Sequence, residues 1–86
     1  MAILIDQPVN YGKGMIYSRM VSDVNLKELH NFAKALGLKK NNFEVTNTGH
    51  AFYKVTISKR FQAIEKSALE ADVGVVMKAA KNLNPL

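Results

Sequence analysis

Residues 25–38 read Asn-Leu-Lys-Glu-Leu-His-Asn-Phe-Ala-Lys-Ala-Leu-Gly-Leu. This stretch predicts a helix from about 25 to 37. Asn25 and Glu28 hold N-cap and N3 positions, where each side chain can accept the other's backbone N–H. Leu26, Leu29, Phe32, Ala33 and Leu36 recur at helical spacing and form one apolar face. Gly37 can take the left-handed conformation that ends a helix, with Leu38 folding back on the last turn.

Before this helix, residues 2–7 (Ala-Ile-Leu-Ile-Asp-Gln) form a short apolar run, and Pro8 stops it by removing a ladder donor. A continuous apolar strand this short usually lies in a sheet covered on both faces. Residues 9–20, with Gly12, Lys13 and Gly14, read as a mobile loop. After the helix, Lys39-Lys40-Asn41-Asn42 is a basic turn, and residues 43–46 and 51–55 are strand-like around Asn47-Thr48-Gly49. Both a hairpin over 43–55 and one broken strand fit. Thr56 or Ser58 caps a second helix whose Ile57, Phe61, Ile64 and Ala68 share a face. Residues 71–77 could be a strand, because Val73, Val75 and Val76 are β-branched. The preferred alternative has a short strand at 68–71 and a third helix capped by Asp72, which aligns Val73, Val76, Met77, Ala80 and Leu83.

The expected fold is therefore a small single-domain α/β layer fold over residues 1–86. It has a short, mainly parallel sheet of about three strands packed with about three helices. In such folds ligands gather at the carboxyl ends of strands, and Asp6 stands at one.

Composition narrows the function classes. The chain of 86 residues is 48% hydrophobic and 22% charged, a globular balance with room for one core. Cysteine is absent, which excludes disulfides, thiolate zinc sites and a cysteine nucleophile. Apolar runs are too short to span a membrane and no secretory signal is visible, so a soluble, cytoplasmic domain without a membrane partner is expected. The net charge is +5, and between 39 and 60 Lys39, Lys40, Lys54, Lys59 and Arg60 oppose only Glu44, a local +4. Clustered positive charge favours polyanions, although lysines also simply solubilise small domains.

Three constellations could carry chemistry. Asp6 and Asp23, converging near a strand end, could hold a divalent metal and activate water on a phosphate; helix capping explains Asp23 equally without metal. His30, inside the first helix, could pair with a carboxylate as an acid or base, while His50 sits in a polar turn. Residues 54–60, Lys-Val-Thr-Ile-Ser-Lys-Arg, place free helix-start N–H groups beside Thr56, Ser58, Lys59 and Arg60, with Tyr53 near enough to stack a ring. A capped helix with two exposed cations is the plainer reading of that segment. Gly12-Lys13-Gly14 matches no nucleotide-binding pattern, and Met15, Met20 and Met77 read as core filler or a soft contact surface.

Ile-Leu-Ile-Asp at 3–6, Met-Val-Ser-Asp at 20–23, Glu-Leu-His at 28–30, Phe-Ala at 32–33, Leu-Gly-Leu at 36–38, Tyr-Lys-Val-Thr-Ile-Ser-Lys-Arg at 53–60 and Ala63-Ile64 occur in order. Over about residues 1–71 the chain resembles a small bacterial and phage family known as domain of unknown function 4031. The resemblance implies a cytoplasmic domain, often carried by phages, and supplies no reaction. Asp6, Asp23, His30, Tyr53, Lys59 and Arg60 match the family pattern. Arg19 replaces a histidine usual in relatives, and Phe52-Tyr53-Lys54 stands where relatives tend to show His-Tyr-Asp. The change from acid to Lys54 shifts the expected chemistry from cations towards anions.

The leading expectation is a non-catalytic domain binding nucleic acid or a phosphorylated small molecule through Tyr53, Lys54, Ser58, Lys59 and Arg60, with Asp6 and His30 in the neighbouring pocket. One rival is a metal-dependent phosphohydrolase or nuclease with Asp6, Asp23 and His30 as its catalytic candidates and Asp6 and Asp23 as its metal candidates. Only this rival calls for a cofactor, a divalent metal. Another is a phage accessory protein that binds a host protein. A homodimer also suits a core this small.

Overall fold

The computed structural model describes residues 2–83. In it the apolar opening run pairs with the segment expected to be a loop. Strand β1 (Ile3–Ile5) lies antiparallel to the later part of β3 (Ile16–Ser22), with Ile3 opposite Ser22 and Ile5 opposite Met20. Beyond Pro8 the chain resumes as β2 (Val9–Asn10), with Val9 opposite Tyr17. Between these pairings Asp6, Gln7 and Pro8 face only Ser18 and Arg19, so the strand carries one extra residue. That is a β-bulge, a place where Pro lacks no needed donor and a side chain can be re-aimed. The hairpin closes at residues 11–15, where the Tyr11 N–H donates to the Met15 carbonyl at 2.8 Å and Gly12, Lys13 and Gly14 all take positive φ.

Residues 9–20 are thus a hairpin arm and the central strand, correcting the mobile loop. The reason lies in β3 itself. Its core-facing positions Ser18, Met20 and Ser22 are all buried, and two of them are polar, which conceals the alternation of a strand. Tyr11 and Tyr17 stack at 4.2 Å with ring planes 12° apart, which holds the arm closed. Ser18 Oγ is buried without a hydrogen-bond partner among the described residues. Ser18→Ala is therefore expected to raise stability by about 1 kcal/mol, because it removes an unpaid desolvation cost. Urea denaturation checks this, and a loss of stability would show that the hydroxyl is satisfied.

β3 also pairs antiparallel with β5 (Ala51–Val55), which forms a hairpin with β4 (Phe43–Val45). The hairpin alternative over 43–55 is the one adopted. Strand β6 (Leu69–Glu70) runs parallel to β1, the one parallel pairing among the described strands. The six-stranded sheet follows the order β4-β5-β3-β1-β6, with β2 on β3. The expected mainly parallel sheet of about three strands is therefore corrected to a mostly antiparallel one. The first two helices follow antiparallel strand pairs, and among the described helices the third alone follows a single strand.

Helix α1 (Leu26–Ala35) has the expected caps on both sides. Asn25 Oδ1 accepts from the Glu28 N–H at 2.8 Å, but the Glu28 carboxylate accepts from Ser22 Oγ at 2.6 Å, and that oxygen accepts from the Asn25 N–H. The capping box is thus relayed through β3, which ties the helix to the sheet. At the other end Leu38 N–H donates to the Ala33 carbonyl and Gly37 N–H to that of Lys34, a Schellman pair requiring the φ of +80° at Gly37.

Helix α2 (Ile57–Glu65) corrects half of its expected apolar face, since Ile64 packs against the core. Ala63 and the following Ala68 are buried, but Ile57 and Phe61 are 48% and 69% exposed. The helix is oriented by its cations: Arg60 Nε donates to the Asp6 carbonyl at 3.0 Å, and Lys59 Nζ to the Leu36 carbonyl at 2.7 Å. Helix α3 (Val73–Asn82) follows β6 as preferred, with Val76, Ala80 and Leu83 in the core and Val73 exposed. Asp72 holds its N-cap position without a side-chain hydrogen bond. Ile3 borders a depression with Phe32 of α1, while its neighbour Leu4 borders one with Ala79 of α3. Alternation along β1 therefore sets α1 and α3 on opposite faces of the sheet. No helix among the described residues is long and apolar enough to cross a membrane.

Candidate ligand pocket

The helix and the β4–β5 hairpin together build one pocket. α1 contributes His30 and Lys34, four residues apart and so on one face. The turn after Gly37 brings Leu38, and a short 3₁₀ segment (Lys40–Asn42) brings Lys40. Strand pairing then sets Phe43 directly opposite Tyr53. These six side chains line a cavity of about 540 Å³. A second depression, about 640 Å³ beside Asn25 and Phe32, is shallower, and its one acid, Glu28, is already bonded to Ser22.

His30 Nδ1 and the Tyr53 hydroxyl lie 2.7 Å apart. Burial pushes the Tyr53 phenol above its ordinary value of 10.0, so it keeps its proton at neutral pH. Whichever atom holds the shared hydrogen, His30 Nε2 is the ring nitrogen left for a ligand. Phe43 meets the His30 ring nearly edge-on at 4.9 Å and the Tyr53 ring at a tilt at 5.1 Å. Lys34 and Lys40 are exposed and have no ion-pair partner among the described residues. The result is an aromatic floor, one free imidazole nitrogen and two uncompensated cations.

A raised phenol pKa has a stability consequence. The folded state holds the Tyr53 proton more tightly than the unfolded chain, so the contribution is fully present below about pH 10 and is lost as pH rises through the folded value. Denaturant midpoints between neutral and alkaline pH should fall less steeply in Tyr53→Phe than in the parent. They should not become flat, because burial raises the Tyr11 phenol too. Identical alkaline slopes would contradict the burial of the Tyr53 hydroxyl.

The structure brings His30 and Tyr53 together, joins Arg60 to the Asp6 carbonyl, and separates Asp6 from Asp23. Asp6 and Asp23 sit at opposite ends of β1: Asp23 Oδ1 accepts from the Ala2 N–H, while Asp6 follows Ile5. At about 3.3 Å per residue, Ala2 and Asp6 stand roughly 13 Å apart. Asp6 is buried, with Oδ1 accepting from the Arg19 N–H at 2.7 Å and Oδ2 3.3 Å from the Arg19 guanidinium. Among the described residues no group of three or more His, Asp or Glu is placed to hold a metal ion.

The basic helix start is largely engaged in internal contacts. Lys54 pairs with Glu44 at 3.3 Å and lies over the Tyr17 ring. Lys59 satisfies the end of α1, and Arg60 bridges Asp6 and Glu70, reaching the latter at 2.6 Å. Ser58 is exposed, and the Tyr53 hydroxyl is hydrogen-bonded to His30. Lys34, Leu38 and Phe43 were not singled out as site residues by sequence. The spacing of His30 and Lys34 on one helix was the available signal.

The model of the family described as "Protein of unknown function (DUF4031)" matches residues 3–83, nearly the whole chain, and the chain belongs to that family. The match continues past residue 71, where the resemblance read from motifs stopped. No curated protein and no solved structure matches the chain.

Proposed function

We propose that this member of the DUF4031 family is a binding domain for a phosphorylated small molecule, held in the His30–Tyr53 pocket. The observation that carries this is the pair of uncompensated lysines, Lys34 and Lys40, beside an aromatic floor. Small-molecule sites are concave, mostly apolar, and carry a few polar groups that orient the ligand, and a cavity of about 540 Å³ falls within their usual size. Of the two anionic partners considered, a polynucleotide has weaker support. It needs a track of free cations, and Lys54, Lys59 and Arg60 are engaged within the protein.

Protein-detected NMR titration with inorganic phosphate, a panel of phosphate monoesters and single-stranded DNA tests the reading. The monoesters should shift resonances of His30, Lys34, Lys40 and Phe43 and weaken with added salt. Preferential shifts at Ser58–Arg60 by DNA would replace this reading with the polynucleotide one. Ile57 and Phe61 favour a second reading, contact with another protein, most simply a second copy of the chain. Analytical ultracentrifugation showing a monomer at every concentration would remove that form of it.

A further inference from the structure

We infer that the pocket's ligand is a mononucleotide: one phosphate monoester joined through a sugar to a flat heteroaromatic base. This rests on the phosphate reading above and adds the rest of the molecule. Charge sets the phosphate count. A phosphate monoester carries nearly two negative charges at neutral pH, which Lys34 and Lys40 match; a triphosphate would leave charge unanswered.

The floor sets the other end. His30, Phe43 and Tyr53 form a mutually contacting trio with centroids 4.9, 5.1 and 5.7 Å apart and ring planes inclined at 65°, 50° and 79°. None is stacked face to face on another, unlike Tyr11 and Tyr17 in the hairpin arm. Half-buried Phe43 therefore offers ring surface for a planar partner. A bare sugar phosphate fits less well. Its hydroxyls need several hydrogen-bonding groups, whereas the Tyr53 hydroxyl is engaged by His30 and Leu38 and Phe43 offer none. His30 Nε2 is positioned as the single polar handle for a base edge. One helical turn separates His30 from Lys34, about 6 Å along the axis, a span that a ribose bridges between base and phosphate.

Calorimetric titration with adenosine 5′-monophosphate, uridine 5′-monophosphate, ribose 5-phosphate and adenosine tests this. At least one nucleotide should bind ten or more times tighter than ribose 5-phosphate. Phe43→Leu, which keeps an apolar side chain but removes the ring, should weaken that nucleotide roughly 5- to 100-fold and weaken ribose 5-phosphate by a much smaller factor. Upfield ring-current shifts of the base protons on binding to the parent protein provide a readout independent of the variant's folding. Equal affinity for nucleotides and ribose 5-phosphate, or base protons that do not shift, would overturn the mononucleotide and leave the phosphate pocket standing. Adenosine binding as tightly as its monophosphate, or no phosphate compound binding at all, would overturn the phosphate reading as well.

Discussion

Asp6→Ala is expected to lower the stability of the fold by about 3 kcal/mol. The carboxylate is 2% exposed and makes two contacts with one residue, the Arg19 N–H on Oδ1 and the Arg19 guanidinium on Oδ2. Both contacts lie within the bulge, where the Asp6 N–H also donates to the Arg19 carbonyl at 3.2 Å. Alanine leaves a backbone N–H and a guanidinium without their acceptor, and the cost of such orphaned groups dominates the change. The Arg19 side chain is itself 18% exposed and lies over the Tyr11 and Phe52 rings, which keeps the loss at the lower end of the buried-pair range. Asp6→Asn should cost about half as much, since an amide oxygen can still accept from Arg19 N–H. A domain of this size holds only about 4–13 kcal/mol in total, so the alanine variant should be visibly less stable in urea, with an unchanged slope. A parent-like midpoint would mean that the bulge does not depend on its carboxylate. The result also bears on chemistry: activity lost in Asp6→Ala would report loss of fold before it reported loss of a metal ligand.

The difference between what the sequence disclosed and what it concealed follows the range of the interactions. The caps of α1 lie within a few residues of each other, and Asn25, Glu28, Gly37 and Leu38 were readable as a unit. Even there the Glu28 side chain went elsewhere, to Ser22, because a strand hydroxyl came within reach only after folding. Sheet pairing was concealed for two reasons. The central strand buries Ser18 and Ser22 where apolar residues mark a strand, and a bulge interrupts the register beside Pro8. Helix α2 carried a plausible apolar face, yet the contacts of Arg60 with Asp6 and Glu70 rotated Ile57 and Phe61 outwards. The pocket was half legible. His30 and Tyr53 stood out by residue type, but Lys34 resembles any helical lysine, and Phe43 matters only because the hairpin register sets it against Tyr53.

Neutralising both pocket lysines is expected to produce the largest binding effect. A hydrogen bond between charged partners contributes about 1.5–3 kcal/mol, and Lys34 and Lys40 are exposed, so the lower value applies to each. Lys34→Gln and Lys40→Gln should each weaken a phosphate monoester roughly tenfold, and the double variant roughly a hundredfold. Stability should change by less than about 1 kcal/mol, with most of the change at Lys34, which sits in the last turn of α1 near its negative end. Lys54→Gln and Lys59→Gln make the informative comparison. Both stand in the basic segment that the sequence nominates, and both are already bonded within the fold, to Glu44 and to the Leu36 carbonyl. They should leave affinity within about twofold of the parent, and Lys59→Gln should cost about 1 kcal/mol of stability because a helix-end carbonyl loses its donor. Calorimetry paired with denaturation on the four single variants separates the outcomes. If Lys54 and Lys59 governed affinity while Lys34 and Lys40 did not, the ligand would sit at the start of α2, and the cations there would have to leave their partners to meet it.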